Sequence, residues 1–106
     1  MPGGFVRQIQ NQIAPVVDRQ ALTVDATVGG VTLTVPATAV AAHARLETAQ
    51  IRWTVDGTAP TTTVGTLLEI GETIEFETRA ELTWFKAIRT GGSSGTLQVE
   101  YFEVDN

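Results

Sequence analysis

Apolar and polar residues alternate along most of this chain, with the period of two that marks half-buried β-strands. From Gln20 to Val28, Leu22, Val24, Ala26 and Val28 fall on one face, and Thr23, Asp25 and Thr27 fall on the other. Gly29-Gly30 then supplies a two-residue hairpin turn, since glycine tolerates the positive φ such turns require. Val31, Leu33 and Val35 resume the alternation against Thr32 and Thr34. Pro36 ends that strand because it has no N–H to give a ladder.

The alanines of 37–44 suit either a one-turn helix after Pro36 or an irregular crossing that becomes a strand near Ala42. The second reading is adopted. It points Ala42, Ala44 and Leu46 inward and His43, Arg45 and Glu47 outward. After a tight connection at Thr48-Ala49-Gln50, Ile51, Trp53 and Val55 form the next inward face. Asp56-Gly57 closes that strand, and a polar loop runs from Thr58 to Gly65. Short strands are expected over Thr66–Ile70 and over Glu72–Thr78, the latter with Ile74 and Phe76 buried opposite Glu75 and Glu77. Leu82–Arg89 reads as a strand apolar on both faces, followed by a flexible hairpin tip at Gly91-Gly92-Ser93-Ser94-Gly95. Thr96–Val104 is the last strand, with Leu97, Val99 and Tyr101 on one face and Phe102 and Val104 on the other.

Seven to eight short antiparallel strands, with turn signals about every ten residues, predict an all-β fold of the β-sandwich or jelly-roll type. The division expected is an N-terminal arm at 1–19 and a single β-sandwich domain at 20–106. In the arm, Phe5, Ile9 and Ile13 recur every four residues among Gln8, Gln10, Asn11 and Gln12. That spacing fits a short amphipathic helix, and it also fits an extended arm that orders only against a neighbour.

Composition sharpens this picture. A chain of 106 residues has room for one domain, and a domain of that size buries roughly 60–70% of its unfolded surface. The net charge is −5, and Lys86 is the lone lysine. An acidic chain without a basic stripe repels phosphate backbones, so nucleic acid is not an expected partner. With no cysteine there is neither a disulfide framework nor a thiolate metal site. No apolar run approaches the ~20 residues of a bilayer span, and Met1-Pro2-Gly3-Gly4-Phe5 lacks the charged and apolar regions of a secretory signal.

Candidate chemistry is sparse. His43 stands alone, with no second histidine to complete a zinc site. The only serines, Ser93 and Ser94, sit in the glycine-rich tip, far from the base and enclosed pocket a nucleophile needs. Glu69, Glu72, Glu75 and Glu77 crowd one region, but Glu75 and Glu77 alternate with buried positions and read as a solvated face. Gly91-Gly92-x-x-Gly95 leads into a strand, so no helix N-terminus waits there for a phosphate. No catalytic, metal-binding or cofactor-binding set is expected.

The most specific stretch is Ile51-Arg52-Trp53-Thr54-Val55-Asp56-Gly57-Thr58-Ala59-Pro60-Thr61, followed by Gly65. Asp56 can accept from loop amides, Gly57 takes the turn, Thr58 satisfies the backbone and Pro60 stiffens the exit. Together with Leu82-x-x-Phe85-x-Ala87-Ile88-Arg89, the glycine-rich tip and Thr96-Leu97-Gln98-Val99-Glu100-Tyr101-Phe102, it resembles a group of small virion proteins of tailed bacteriophages over residues 20–103. The resemblance implies a non-enzymatic virion structural protein, foremost a capsid decoration or cement protein. Its partners would be the major capsid protein or other virion proteins, with no membrane or cofactor, in a homo-oligomer assembled in the host cytoplasm. A head–tail connector or tail component would fit the same motifs.

Residues 51–61 also resemble a strand-turn of the immunoglobulin-like modules attached to carbohydrate-active proteins, where an exposed Trp53 or Trp84 would stack on sugar rings. The alternation of Trp53 with Ile51 and Val55 argues that Trp53 is buried. Expected contact residues are Phe5, Ile9, Ile13, Trp84 and Phe102. The aromatics Trp53, Trp84, Phe85, Tyr101 and Phe102 remain to be divided between core and interface.

Overall fold

Threonine, valine and isoleucine lose side-chain freedom in a helix but pack well on a pleated surface, and the computed structural model, which describes residues 13–104, is built accordingly. Its elements in order are β1 (Ile13–Val24), β2 (Ala41–Glu47), β3 (Ile51–Thr54), β4 (Thr66–Leu68), β5 (Thr73–Phe76), α1 (Arg79–Trp84), β6 (Lys86–Arg89) and β7 (Gly95–Val104). Two antiparallel sheets pack together, one four-stranded in the order β1-β7-β2-β5 and one three-stranded in the order β4-β3-β6. The protein is an all-β sandwich.

Strand β7 is paired along both sides, and its inward Leu97, Val99 and Tyr101 are buried. Its neighbour β2 carries alanines where strand propensity favours larger residues, and the register explains them. Ala42 lies between Tyr101 and Phe76, and Ala44 lies between Val99 and Ile74. A small residue flanked by two large ones lets all of them pack at interior density. Inward residues of the second sheet, Ile51, Leu68 and Ala87, close the core from the other side.

The chain crosses between sheets more often than its turn signals suggest. Gly29-Gly30 does turn, with the Gly30 amide donating to the Thr27 carbonyl at 2.9 Å. The alternation, however, ends at Val24; Val28 is fully exposed, and Val31 bridges Ala87 of β6 and does not return along β1. Gly30 has no room for a side chain, since a Cβ there would meet Pro60 Cγ at 3.0 Å and the Ala87 backbone nitrogen at 3.2 Å. The expected hairpin between Gln20–Val28 and Val31–Val35 is therefore replaced by an intersheet corner. The Asp25 carbonyl, which accepts from the Arg89 amide at 3.0 Å, seals it.

The expected strand over Leu82–Arg89 is instead a helix followed by a strand. Thr78 and Glu81 form a reciprocal capping box, the threonine hydroxyl accepting from the Glu81 amide and the glutamate accepting from the Thr78 amide. This satisfies two N–H groups that would otherwise be orphaned and starts the helix. The short helix buries Leu82 and leaves Trp84 exposed. Arg79 reaches from its first turn to the carbonyls of Pro36 at 2.9 Å and Ala39 at 2.6 Å, pinning the irregular 36–40 segment.

Two further expectations change. β1 begins at Ile13, so residues 13–19 of the expected arm belong to the sheet and pair with β7. The pairing is irregular on either side of Val16, where Pro15 cannot donate. Phe5 and Ile9 lie outside the described residues. The glycine-rich tip does not join a hairpin, because β6 and β7 belong to different sheets. Gly95 is a packing position within β7: a Cβ there would stand 2.6 Å from the Ala49 carbonyl oxygen and 2.7 Å from Ile51 Cγ2.

Gly95→Ala is therefore expected to lose about 1–3 kcal/mol of unfolding free energy in urea. Gly91→Ala, at a position with open space around it, should change little. Tyr101 offers a second check because it is the lone tyrosine. It is fully buried, its hydroxyl donates to Gln20 Oε1 at 2.6 Å, and burial together with the nearby Asp18 charge pushes its phenol up to about 12. The fold thus favours the neutral phenol. Its stabilisation is complete below pH 10 and declines as pH rises from 10 through 12, and the phenolate absorbance should titrate near 12 in the native protein.

Candidate interaction surface around the Asp56–Thr66 loop

The loop between β3 and β4 is long and polar, yet nearly every polar group that shapes it has a partner. Asp56 accepts from the Thr58 amide at 3.0 Å. That amide and the Thr58 hydroxyl hold its carboxyl below the ordinary carboxylate value. A lowered value means the turn is favoured above about pH 4 and loses that support as pH falls through the Asp56 titration. Thr54 Oγ1 donates to the Thr58 carbonyl at 2.6 Å, and Thr61 Oγ1 accepts from the amides of Val64 and Thr63. From the outward face of β3, Arg52 donates to the carbonyls of Thr62 at 3.0 Å and Gly65 at 2.9 Å. Pro60 is fully buried against Gly30. The four residues expected to build the turn, Asp56, Gly57, Thr58 and Pro60, thus all lie in it, each with an identifiable contact.

Gly57 has φ +91°, and a Cβ there would meet Trp84 Cζ3 at 3.0 Å. The indole of Trp84 therefore rests on the bare backbone of the turn, although the residue is 53% exposed. A hollow of about 280 Å³ opens beside it, lined by Gly57, Thr83, Trp84 and Lys86. On the other side of the turn a groove of about 410 Å³ runs where β3 and β4 diverge beyond the Trp53–Thr66 pair, lined in part by Val55, Asp56, Thr58 and Val64. Trp53 is half-buried and stacks on Phe85, with centroids 6.1 Å apart. Its Nε1 is enclosed without an acceptor among the described residues.

The other expected contact residues are dispersed. Phe102 lies on the face of β7 opposite Tyr101, half-buried, between Val16 and Ala41. Ile13 lies at the start of β1, opposite Val104. Sequence reasoning also missed the exposed apolar side chains Val64, Leu67 and Ile70 in β4 and its flanks. The signal was the Leu67-Leu68 pair, since adjacent residues of a strand face opposite ways and only Leu68 is buried.

Arg19, Glu100, His43 and Glu75 form one row across all four strands of the larger sheet, with Arg19 paired to Glu100 and His43 Nδ1 hydrogen-bonded to Glu75. An ion pair as exposed as that of Arg19 with Glu100 contributes between nothing and about 1 kcal/mol. Among the described residues no group of three or more histidine, aspartate or glutamate side chains is placed to hold a metal ion. Comparison with known protein families, characterised proteins and solved structures finds no match.

The turn and the indole should respond together to one change. Gly57→Ala is expected to cost about 1–3 kcal/mol through its positive φ and to displace Trp84. In a Trp53→Phe background, the remaining tryptophan emission should shift with Gly57→Ala and stay constant with Gly91→Ala. An unchanged emission would show that the turn does not hold the ring.

Proposed function

We propose that this chain is a non-enzymatic virion structural protein of a tailed bacteriophage, acting as a capsid decoration or cement protein that binds the major capsid protein or another virion protein. The observation that carries the reading is Trp84, a large aromatic held outward by the backbone of the Asp56-Gly57 turn with Lys86 beside it. Binding energy at protein interfaces concentrates in such aromatic anchors, and an anchor already fixed in the free protein loses little entropy on docking. The motif order from Ile51 to Phe102 supports the same reading, and an oligomer at a symmetric capsid position would suit it. A connector or tail component would use the same surface against a different virion protein.

The exposed indole also favours a second reading, an accessory module whose Trp84 stacks on a sugar ring. The two readings part on one variant. Trp84→Ala should leave the unfolding free energy within about 1 kcal/mol of the parent, because the ring is largely outside the core. If the virion reading holds, co-sedimentation with capsids of the same phage should weaken about tenfold or more. Capsid binding unaffected by the substitution would overturn it. Retention on immobilised polysaccharide that the substitution abolishes would replace it with the carbohydrate reading.

A further inference from the structure

Three stretches far apart in the chain meet at the end of the sandwich where β3 finishes and β6 begins. Thr54 pairs with Lys86 there, which sets the Asp56–Thr66 loop beside the junction of α1 and β6. The Trp84 ring rests on Gly57, and a Cβ on Gly30 would stand 3.1 Å from Lys86 Cβ and 3.0 Å from Pro60 Cγ. The turn 27–30 is thereby packed against both other stretches. It closes through the Gly30 amide on the Thr27 carbonyl, and Gly29, at φ +89°, supplies the positive φ of its third position. Val28, at the second position, is 96% exposed.

A single exposed apolar residue is ordinary on a protein surface, whereas several together mark contact sites. Here Val28 and Trp84 share one end of the molecule with Lys86, the lone lysine. Lys86 forms no ion pair among the described residues, and the hollow beside Trp84 is lined by Gly57, Thr83, Trp84 and Lys86, without a carboxylate. The acidic residues of the two turns are engaged locally. Asp25 accepts from the Thr27 amide at 2.9 Å, and Asp56 accepts from the Thr58 amide at 3.0 Å. In a chain of net charge −5, an ammonium is thus left without a counter-charge beside two apolar side chains. The hollow suits a polypeptide better than a sugar. Sugar hydroxyls must be met or stay hydrated, and Thr83 Oγ1, the one hydroxyl of the lining, already donates to the Ala80 carbonyl at 3.1 Å.

We propose that the Val28 turn, Trp84 and Lys86 form one contact surface, and that it receives an acidic segment of a partner protein. An apolar side chain of that segment lies across Trp84 and Val28, and a neighbouring carboxylate pairs with Lys86. This proposal rests on the reading of Trp84 as the anchor of a protein interface, and it adds a second element and the chemistry of the partner. Both apolar anchors are positioned before binding, Trp84 by Gly57 and Val28 by the Gly29-Gly30 turn, so docking loses little ordering entropy. Apolar burial supplies the affinity, and the charge pair at its margin selects the partner.

In the full chain carrying Trp53→Phe, Trp84 is the one remaining tryptophan and reports on the surface directly. Two blocked peptides serve as probes, Gly-Glu-Leu-Glu-Gly and its amide counterpart Gly-Gln-Leu-Gln-Gly. The expected result is a saturable change in Trp84 emission with the first, and binding about threefold weaker or more with the second and with Lys86→Gln. Val28→Ser should weaken the acidic peptide to a similar degree and leave the urea midpoint unchanged, because the side chain lies in solvent. Sodium chloride should weaken binding to the parent and not to Lys86→Gln. No emission change up to about 10 mM peptide overturns the proposal, as does equal binding of the two peptides or binding indifferent to Val28→Ser. A larger response to polygalacturonate than to the peptide also overturns it, by assigning the surface to an acidic polysaccharide. Emission that shifts with protein concentration alone overturns it in favour of a second copy. Because no capsid enters these titrations, their failure is separable from failure of the Trp84→Ala capsid assay.

Discussion

An aromatic wedge bridges the two sheets within the shared core. Phe85, fully buried at the C-terminal cap of α1, meets Phe76 of the larger sheet edge-on, with centroids 5.3 Å apart and planes at 84°. It meets Trp53 of the smaller sheet in a stacked arrangement. Edge-on and offset-stacked contacts are the favoured geometries of aromatic pairs and add about 0.5–1.5 kcal/mol each beyond burial. Everything at the candidate surface follows from this wedge. It fixes the end of α1, which puts Trp84 one position earlier on the solvent side, and it fixes Trp53, from which the Asp56 loop departs.

The same wedge carries a local cost. Trp53 Nε1 is enclosed with no acceptor among the described residues, and a buried donor left unmet costs about 1–3 kcal/mol. Proteins tolerate such a term where the packing it permits is worth more, and here the indole completes the contact between sheets. The small residues on β2 serve the same end. Alanine is a poor strand former, but at 42 it leaves room for Phe76 and Tyr101, and through Phe76 for the wedge, and at 44 for Ile74 and Val99.

How much of this was legible in the sequence depends on how many forces act at each position. β2, β5 and β7 were readable because burial alone decides their faces, and the inward sets Ala42/Ala44/Leu46, Ile74/Phe76 and Leu97/Val99/Tyr101 match the expected ones. The 79–84 helix was misread because Leu82 and Trp84 imitate strand alternation over a span too short to show a helical period. The Thr78-x-x-Glu81 cap was the signal that outweighed it. Gly29-Gly30 was correctly a turn, but no local rule says which strand the chain meets afterwards. Gly95 resembled a loop glycine because its reason lies in Ala49 and Ile51, more than forty positions earlier. Of the candidate surface, the Asp56-Gly57-Thr58 turn was legible from its own residues. Trp84 was expected as a contact residue and is exposed, whereas its seat on the Gly57 backbone depended on the wedge and was not legible.

The longest ladder joins β1 to β7, and it pairs Arg19 with Glu100, 81 positions further along the chain. Contacts so distant in sequence are slow to form, because the entropy of closing the intervening loop must be lost before any ladder bond is gained. On the ribosome, β2 spends the synthesis of more than forty residues without the central strand it will lie beside. During that interval its alanine-rich, weakly apolar face is a less adhesive surface than leucine or isoleucine would offer. The small side chains that make room in the finished core thus also keep the nascent chain from committing early to the wrong neighbour.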